Sequence, residues 1–370
     1  MRYERPFERQ FQLPEIVYSV LIGWLCLSLG ACEPNRQGIE EATVETANVP
    51  AAAVDPSSHE GHTLSAEQLA VLRDRIPLYR EFSDEVVIEN MNTMRANDSE
   101  LVSGKTVFGN VGVLALAHGF REPGDTQFKT AFGAIAESHP TAVALGMSMM
   151  TSEHIQSVVN DLEAAGAKTI VVLPVTTAEN SSLTRQWHYI FGMRDEGTYL
   201  DVPRIQSSAK LIMGPTPATS PIVATIMRDY AIAFSSDPAS EVIIIVAHGP
   251  QDPEDNQKEL AILAQHAAQI RQDSDFEDVR YVTLQDDAPT KVRAANVEKL
   301  RSLVAEVTAE GKTVLVLTTL LTSQGGVSGR IRRDLEGLDY VFADQGLAEH
   351  PLFEQWISAT VEAELTNTDS

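Results

Sequence analysis

Continuous apolar runs alternate with helix-like segments along most of this chain. Val111–Ala117 and Val242–Ala247 are two such runs, and no polar side chain interrupts either of them. Runs of this kind are typical of parallel strands that are buried on both faces. A His-Gly pair follows each run, His118-Gly119 in the first case and His248-Gly249 in the second. The pattern therefore predicts two related central strands that lie about one domain length apart.

The segments around these two strands occur in a similar order. After each His-Gly pair come an acidic loop that contains proline, two helix-like stretches, a further strand and an amphipathic final helix. In the first half these elements are helix Gln127–Glu137, helix Ser152–Ala165, strand Thr169–Pro174 and helix Pro221–Phe234. In the second half they are helix Asn256–Asp273, strand Arg280–Leu284, helix Lys291–Glu310, strand Thr313–Thr318 and helix Pro351–Glu364.

Strands that alternate with helices predict a parallel sheet covered on both faces. We therefore predict an α/β fold with two tandem domains, residues 65–238 and 239–370, each a mainly parallel sheet flanked by helices. Active sites in such sheets lie beyond the carboxyl ends of the strands, which makes His118 and His248 the first candidate functional residues. Ser65–Arg80 predicts an additional helix with Ser65 as its N-cap, but the pattern does not place this helix in the fold.

The N-terminal residues have the layout of an export signal. Ile16–Leu29 is apolar and follows several arginines, and it is shorter than the roughly 20 residues of a membrane-spanning helix. Leu29-Gly30-Ala31-Cys32 resembles a bacterial lipobox, in which the cysteine accepts an acyl anchor. We expect a signal peptide over residues 1–31, a lipidated Cys32 and a disordered tether over residues 32–64; an uncleaved anchor helix is the alternative. Both place the body outside the cytoplasm, in the cell envelope.

Charge and cysteine content narrow the choice of partners. The formal net charge is −24, which argues against a nucleic-acid partner because phosphate backbones bind basic surfaces. An acidic surface instead attracts cations weakly. Cys26 and Cys32 are the two cysteines of the chain, so the body has no cysteine-based zinc site.

Several phrases of the sequence resemble the sirohydrochlorin chelatase (CbiX/SirB) family. Ala117–Pro123 (AHGFREP) and Ala247–Pro250 (AHGP) both resemble the opening AHGSRDP of that family. Gly166–Pro174 is similar to the strand before the family's second site loop, and Leu347–Pro351 (LAEHP) is similar to the start of its last helix. The resemblance covers about residues 107–365.

The resemblance implies a metal and a tetrapyrrole as substrates. Chelatases of this family insert Co²⁺ or Fe²⁺ into a tetrapyrrole such as sirohydrochlorin, and we keep Ni²⁺ and Zn²⁺ as further candidates. Neutral imidazole binds cations of this type well, and a base is needed because the macrocycle must lose its pyrrole protons. A fused pair of domains implies a complete pseudo-dimer, so we expect a monomer.

The sequence departs from the family at the second histidine, which should follow a later strand in each half. Glu179 or Asn180 stands in its place in the first half, and Gly325-Gly326 lies near its place in the second. We expect His118 to be a metal ligand and a catalytic residue, with Glu179 as an oxygen ligand or proton acceptor. We expect His248 to be a metal ligand and Asn180 to contact the substrate.

Further polar residues flank the predicted strand ends. Arg330 and Arg333 are candidates to pair with tetrapyrrole carboxylates; a solvated helix face is the alternative. Asp286 and Asp287 could bind a cation, but we favour a cap for the next helix. Two other histidines are predicted to lie on helix surfaces: His154 and His188.

Three functions are compatible with these patterns. The chain is a chelatase-like protein that inserts or binds a divalent metal, a non-catalytic exported protein that binds a metal or a tetrapyrrole, or a chelatase fold with an unrelated envelope role. The missing histidine and the predicted export argue against catalysis, because family chelatases act in the cytoplasm. The two strand-end histidines favour metal chemistry, so we prefer a chelatase-like protein and leave its catalytic activity open.

Overall fold

The first sheet is built around the strand that the apolar run after Asn110 predicts. Its strands are β1 Asp98–Leu101, β2 Val111–Ala117, β3 Thr141–Leu145, β4 Thr169–Pro174 and β5 Lys210–Met213. They lie in the order β1-β3-β2-β4-β5, and all neighbours are parallel except β1, which is antiparallel to β3 at one edge. Residues 112–117 of β2 are buried, as expected for a central strand covered on both faces.

The second sheet repeats this plan with fewer strands. Its strands are β6 Glu241–Ala247, β7 Asp278–Thr283, β8 Thr313–Thr318 and β9 Val341–Phe342. They lie in the order β7-β6-β8-β9 and all pairs are parallel. The predicted α/β class with mainly parallel sheets is therefore confirmed.

Helices cover both faces of the two sheets. They are α1 Ala66–Arg75, α2 Asp84–Thr93, α3 Gly124–Thr130, α4 Gly133–Ala136, α5 Glu153–Ala164, α6 Ser182–Ile190, α7 Pro221–Phe234, α8 Pro253–Gln272, α9 Thr290–Ala309, α10 Gly326–Asp334 and α11 Pro351–Asp369. The single helix predicted over Gln127–Glu137 is wrong, because the structure has the two short helices α3 and α4 there. β1, β3, β5 and β9 are strands that the sequence pattern did not predict.

The computed structural model describes residues 64–93, 97–324 and 326–369. The predicted signal peptide, Cys32 and all of the predicted tether but its last residue lie outside them. Within the described ranges, no helix is both long enough and apolar enough to cross a bilayer.

The last helix of each half packs against the sheet of the other half. α7 contacts β8 and α8, whereas α11 contacts β4 and α4. As a result, one apolar cluster contains core residues of both central strands, among them Val113 and Ile243. The domain boundary near residue 238 stays a prediction; each sheet lies within one of the two predicted halves.

The N-terminal segment, residues 64–93, lies across both halves. Its first helix starts at Ser65, whose side chain and that of Gln68 form the predicted N-cap as a capping box. The helix ends at Arg75, since Ile76 precedes a proline and takes an extended conformation. Core residues of this segment pack in one cluster with Tyr199 of the first half. Polar contacts reach the second half, where the side-chain amide of Gln251 donates to the carbonyl of Arg75 at 3.2 Å.

Candidate functional site: the strand-end histidines

Both predicted histidines stand directly beyond the carboxyl end of a central strand, each in a tight turn with glycine. The turn needs glycine because the φ angles are +87° at Gly119 and +74° at Gly249, in the left-handed region. At Gly249 the space is also closed, since a Cβ there would lie 2.7 Å from the Cβ of Thr283. The close approach of β7 to this turn thus fixes the position of His248.

The same hydrogen bond orients the two histidine rings. The Nδ1 atom of His118 contacts the carbonyl oxygen of Gly119, and Nδ1 of His248 contacts the carbonyl oxygen of Gly249 at 3.1 Å. A ring nitrogen that faces a carbonyl oxygen must carry the proton, so in the neutral ring the lone pair is on Nε2. This tautomer is the one in which a histidine can bind a metal through Nε2.

Carboxylates surround His248. Its Nε2 atom lies 3.6 Å from Oδ2 of Asp287, and its carbonyl accepts a hydrogen bond from the backbone N–H of Asp286 at 3.3 Å. Burial disfavours the imidazolium, but the charges of Asp287 and Asp286 and the carbonyl of Gly249 outweigh it, and the pKa of His248 is raised. About a third of the side chain is exposed, at 37%, so a small ligand can reach it.

Asp286 is the buried member of this pair of aspartates. Its side chain is 1% exposed and its Oδ1 accepts from Nε of Arg293 at 2.7 Å and from Nη1 of Arg330 at 3.3 Å. The favoured prediction that Asp286 and Asp287 cap the next helix is wrong, because the N-cap of α9 is Pro289 and the side chain that accepts from the N–H of Thr290, the first residue of the helix, is that of Glu81 at 3.2 Å. Proline has no side-chain acceptor, and Asp286 instead pairs with an arginine on that helix.

The two arginines predicted to bind substrate carboxylates lie on α10. Arg330 is exposed, and it forms an ion pair with Asp286, which also pairs with an arginine of α9. Arg333 is exposed as well. Their role toward a tetrapyrrole stays a prediction.

Glu179 lies in the loop after β4, where the resemblance places the second histidine. Its Oε2 atom accepts a hydrogen bond from the hydroxyl of Thr216. Burial lowers the pKa of His188, and the charge of Glu179 opposes that shift. The predicted pairing of Glu179 with His118 in one metal site stays a prediction.

The neighbouring Asn180 takes part in the contact between the halves through its backbone. Its carbonyl accepts from Nη1 of Arg185 at 2.8 Å, and the same Nη1 donates to Oδ2 of Asp255 on α8 at 2.6 Å. A substrate contact of the Asn180 side chain is not tested by this geometry and stays a prediction.

Sequence reasoning missed Glu259, a buried acid at the boundary between the halves. It is 1% exposed, and its Oε2 atom has no hydrogen-bond partner among the described residues. Burial and the charge of Glu179 raise the pKa of Glu259 to about 8, although His248 opposes the shift. Glu259 precedes the core residue Leu263 by one helical turn, and this spacing was the available signal that it is buried.

His154 corrects a second prediction. Its side chain is buried rather than on the helix surface, and burial lowers its pKa to about 4. It lies on the apolar face of α5 beside Ile155 and Val158, so it contributes to the core. His188 is half-buried.

Across the described residues, no three histidine, cysteine, aspartate or glutamate side chains are arranged to hold a metal ion together. Pairs such as His248 and Asp287 are present. A metal held here would therefore take one or two ligands from the protein and the others from water or from a second substrate.

The raised pKa of Glu259 predicts a pH-dependent stability. The folded chain keeps the Glu259 proton up to about pH 8, whereas the unfolded chain loses it above about pH 4.5, so the free energy of unfolding falls as the pH rises between these values. Glu259→Gln, which stays neutral, should flatten this decrease and be more stable than the wild type at alkaline pH. Urea unfolding across this range measures the effect. Glu254→Gln, an exposed site on the same helix, should keep the wild-type profile; equal profiles for all three proteins would contradict the assignment.

No protein-family model and no curated protein sequence matches the chain. Solved structures do match the chain. SirB from Bacillus subtilis with Fe³⁺ has 15% sequence identity and a TM-score of 0.51, and the match covers 70% of this chain and 98% of SirB. The sirohydrochlorin chelatase SirB from Bacillus subtilis subspecies spizizenii in complex with cobalt has 15% identity and a TM-score of 0.48, with 70% and 97% coverage. DR2241 from Deinococcus radiodurans, a multi-domain protein with structural similarity to chelatases, has 16% identity and a TM-score of 0.44, with 68% and 55% coverage.

The match to SirB with Fe³⁺ extends over nearly the whole length of SirB. It also covers 70% of this chain, which is more than either half contains, so it includes residues of both halves. The resemblance that the two His-Gly phrases indicated is confirmed for the fold: the described chain has the fold of SirB.

Proposed function

We propose that this chain binds a divalent metal ion and a tetrapyrrole as a chelatase-like protein, with the strand-end histidines as metal ligands. The observation that carries the proposal is the hydrogen bond from Nδ1 of each histidine to the next glycine carbonyl. In both halves it selects the tautomer that presents Nε2 to a metal. Two histidines that only stabilise loops would not need the same ring orientation at both strand ends.

Few potential metal ligands lie together in the described residues. This favours a metal ion that is transferred to another molecule over one that is held permanently. Structural metal sites are closed by a full set of protein ligands, whereas sites that react keep positions open. A chelatase has to release its ion to the ring nitrogens of the tetrapyrrole. Neighbouring structures of SirB hold Fe³⁺ and cobalt, and imidazole with carboxylate ligands suits Co²⁺ and Fe²⁺, and also Ni²⁺ and Zn²⁺.

The remaining predicted residues have roles in this proposal that follow from their chemistry. Glu179, a half-buried carboxylate in the loop after β4, would accept a pyrrole proton. Arg330 and Arg333, exposed on α10, would pair with the carboxylates of the tetrapyrrole, and Asn180 would contact the ring.

A second candidate function is metal or tetrapyrrole binding without catalysis. It is favoured by the replacement of the family's second histidine and by the hydrogen bond that already holds Glu179 to Thr216. The two functions differ in turnover, not in binding.

Titration with Co²⁺ followed by addition of sirohydrochlorin separates these possibilities. We expect the wild type to bind Co²⁺ and the double variant His118→Gln/His248→Gln to lose that binding, because neither half then presents an imidazole. Faster loss of the metal-free sirohydrochlorin absorbance than in buffer indicates insertion, and binding without faster insertion indicates the second function. Wild-type affinity in the double variant would contradict the metal-binding proposal, provided that circular dichroism shows both proteins folded.

We also propose that the body is held at the cell envelope by a diacylglyceryl group on Cys32. The support is the lipobox-like sequence Leu29–Cys32, which lies outside the described residues. Cys32→Ser should move the protein from the membrane fraction to the soluble fraction, since a diacylglyceryl anchor cannot be attached without the thiol. Cys26→Ser is the matched control and should leave the protein with the membranes; equal behaviour of the two variants would contradict lipidation at Cys32.

A further inference from the structure

Residues 64–93 form a segment that precedes the part of the chain in which the chelatase resemblance lies. That resemblance covers about residues 107–365, so the segment is an addition to the plan that the two halves share. It consists of α1, the 3₁₀ turn Pro77–Glu81 and α2. Ligands of parallel sheets bind beyond the carboxyl ends of the strands, and the contacts of this segment lie at those ends in both halves.

Apolar contacts seat the segment on the first half. Leu72 and Tyr79 are buried, and they belong to one cluster with Met149 and Tyr199. Met149 lies in the loop that follows β3, beyond the carboxyl end of the first sheet. The segment therefore covers that end of the sheet with buried apolar side chains.

The surface under these apolar contacts is itself fixed. Gln186 of α6 is fully buried, and its side-chain amide donates to the carbonyl of Ser148 at 3.0 Å. The side-chain oxygen of Gln186 accepts from the N–H of Thr198 at 2.8 Å. Gln186 thus ties the loop after β3 to the loop that carries Tyr199. Because apolar surface buried on such a base is costly to expose again, this side of the segment stays attached.

The contacts of the segment with the second half are polar and exposed instead. The carboxylate of Glu81 accepts from the N–H of Thr290 at 3.2 Å and from its hydroxyl at 2.6 Å. The carbonyl of Arg75 accepts from the side-chain amide of Gln251 at 3.2 Å. In the part of the chain that the structure describes, the apolar cluster of the segment includes no residue of the second half. Water competes for exposed hydrogen bonds, so these contacts open more easily than the apolar ones.

The path of the segment brings it close to the candidate site. Gln251 lies three residues after His248, and Thr290 is the first residue of the helix that follows β7. The segment therefore runs from the loop after β3 to the loops after β6 and β7, across the carboxyl ends of both sheets. With the segment in place the side chain of His248 is 37% exposed, which is enough for an ion. A tetrapyrrole is a flat macrocycle much larger than an ion, and it needs free surface along this edge.

We propose that residues 64–93 are a lid, hinged by apolar contacts on the first half and latched to the second half by Glu81 and Arg75. The closed lid leaves room for a metal ion, and the lid has to open before a tetrapyrrole can enter. The inference rests on the proposed function for these two ligands, and it adds how access to the site is controlled. A lid over a site excludes water and can set the rate at which a large ligand enters or leaves.

Release of the latch tests the lid through the rate of tetrapyrrole binding, measured by stopped-flow absorbance. Glu81→Ala in the full-length protein should raise the association rate constant of sirohydrochlorin about 3–10-fold, because loss of an exposed, charge-assisted hydrogen bond raises the open fraction by about that factor. Thr290→Val removes the hydroxyl donor without a change of charge and should act in the same direction. The double variant should be no faster than Glu81→Ala alone, since both residues belong to one contact.

Glu67→Ala is the matched control, because it removes one negative charge from an exposed position of the same segment. It should keep the wild-type association rate. Co²⁺ affinity should be unchanged in all of these variants, since an ion reaches His248 while the lid is closed. Equal association rates in the wild type, Glu81→Ala and Glu67→Ala would overturn the lid. A lower melting temperature of Glu81→Ala with an unchanged association rate would also overturn it and show that the latch is only a structural contact.

Locking the latch is the opposite test. Glu81→Cys and Thr290→Cys, in a full-length chain that also carries Cys26→Ser and Cys32→Ser, can be joined by a short bifunctional thiol reagent. The joined protein should bind Co²⁺ as before and take up sirohydrochlorin at least about tenfold more slowly than the same protein before joining. Uptake at the same rate would overturn the lid and leave the proposed function intact. If neither the wild type nor the released variants bind sirohydrochlorin, the proposed function itself fails, and the lid fails with it.

Discussion

Parallel pairing of the central strand β6 with β7 and β8 decides where the polar groups of the second half lie. In a parallel sheet the carboxyl ends of neighbouring strands meet at one edge. The hydrogen bonds of this pairing are satisfied up to Ala247, so the chain has to leave the sheet at His248. The glycine after it makes the turn possible, and the approach of Thr283 leaves no room for a side chain there. The histidine, the two aspartates and the arginines of α9 and α10 then meet at that edge.

The exchange of helices between the halves places the boundary between them close to this edge. α7 packs on the second sheet and α11 on the first, so neither half buries its core without the other. Polar groups lie at this boundary. Arg185 pairs with Asp255 across it. One oxygen of the buried Glu259, whose pKa is raised by burial and by the charge of Glu179, has no hydrogen-bond partner in the part of the chain that the structure describes. Retaining an acid with a raised pKa lowers the stability of the fold at alkaline pH. Such groups are more often found near functional sites than elsewhere in a protein.

The sequence predicted those features that local pattern determines. β2, β4, β8 and α7 have the predicted bounds, because long apolar runs and helix periodicity are local signals. β3 and β5 were missed since they are short and are strands only because a neighbour pairs with them. The helix position of His154 was known, but its burial depends on which face meets the sheet. The contact between Asp287 and His248 was not predicted either, because the distance between them follows from the strand register and not from their spacing along the chain.

Crystals of the protein soaked with Co²⁺ and measured at the cobalt absorption edge test the central claim most directly. The account predicts an anomalous difference peak about 2.0–2.2 Å from Nε2 of His118 or of His248. A well-occupied cobalt ion elsewhere, with no peak beside either histidine, would contradict it.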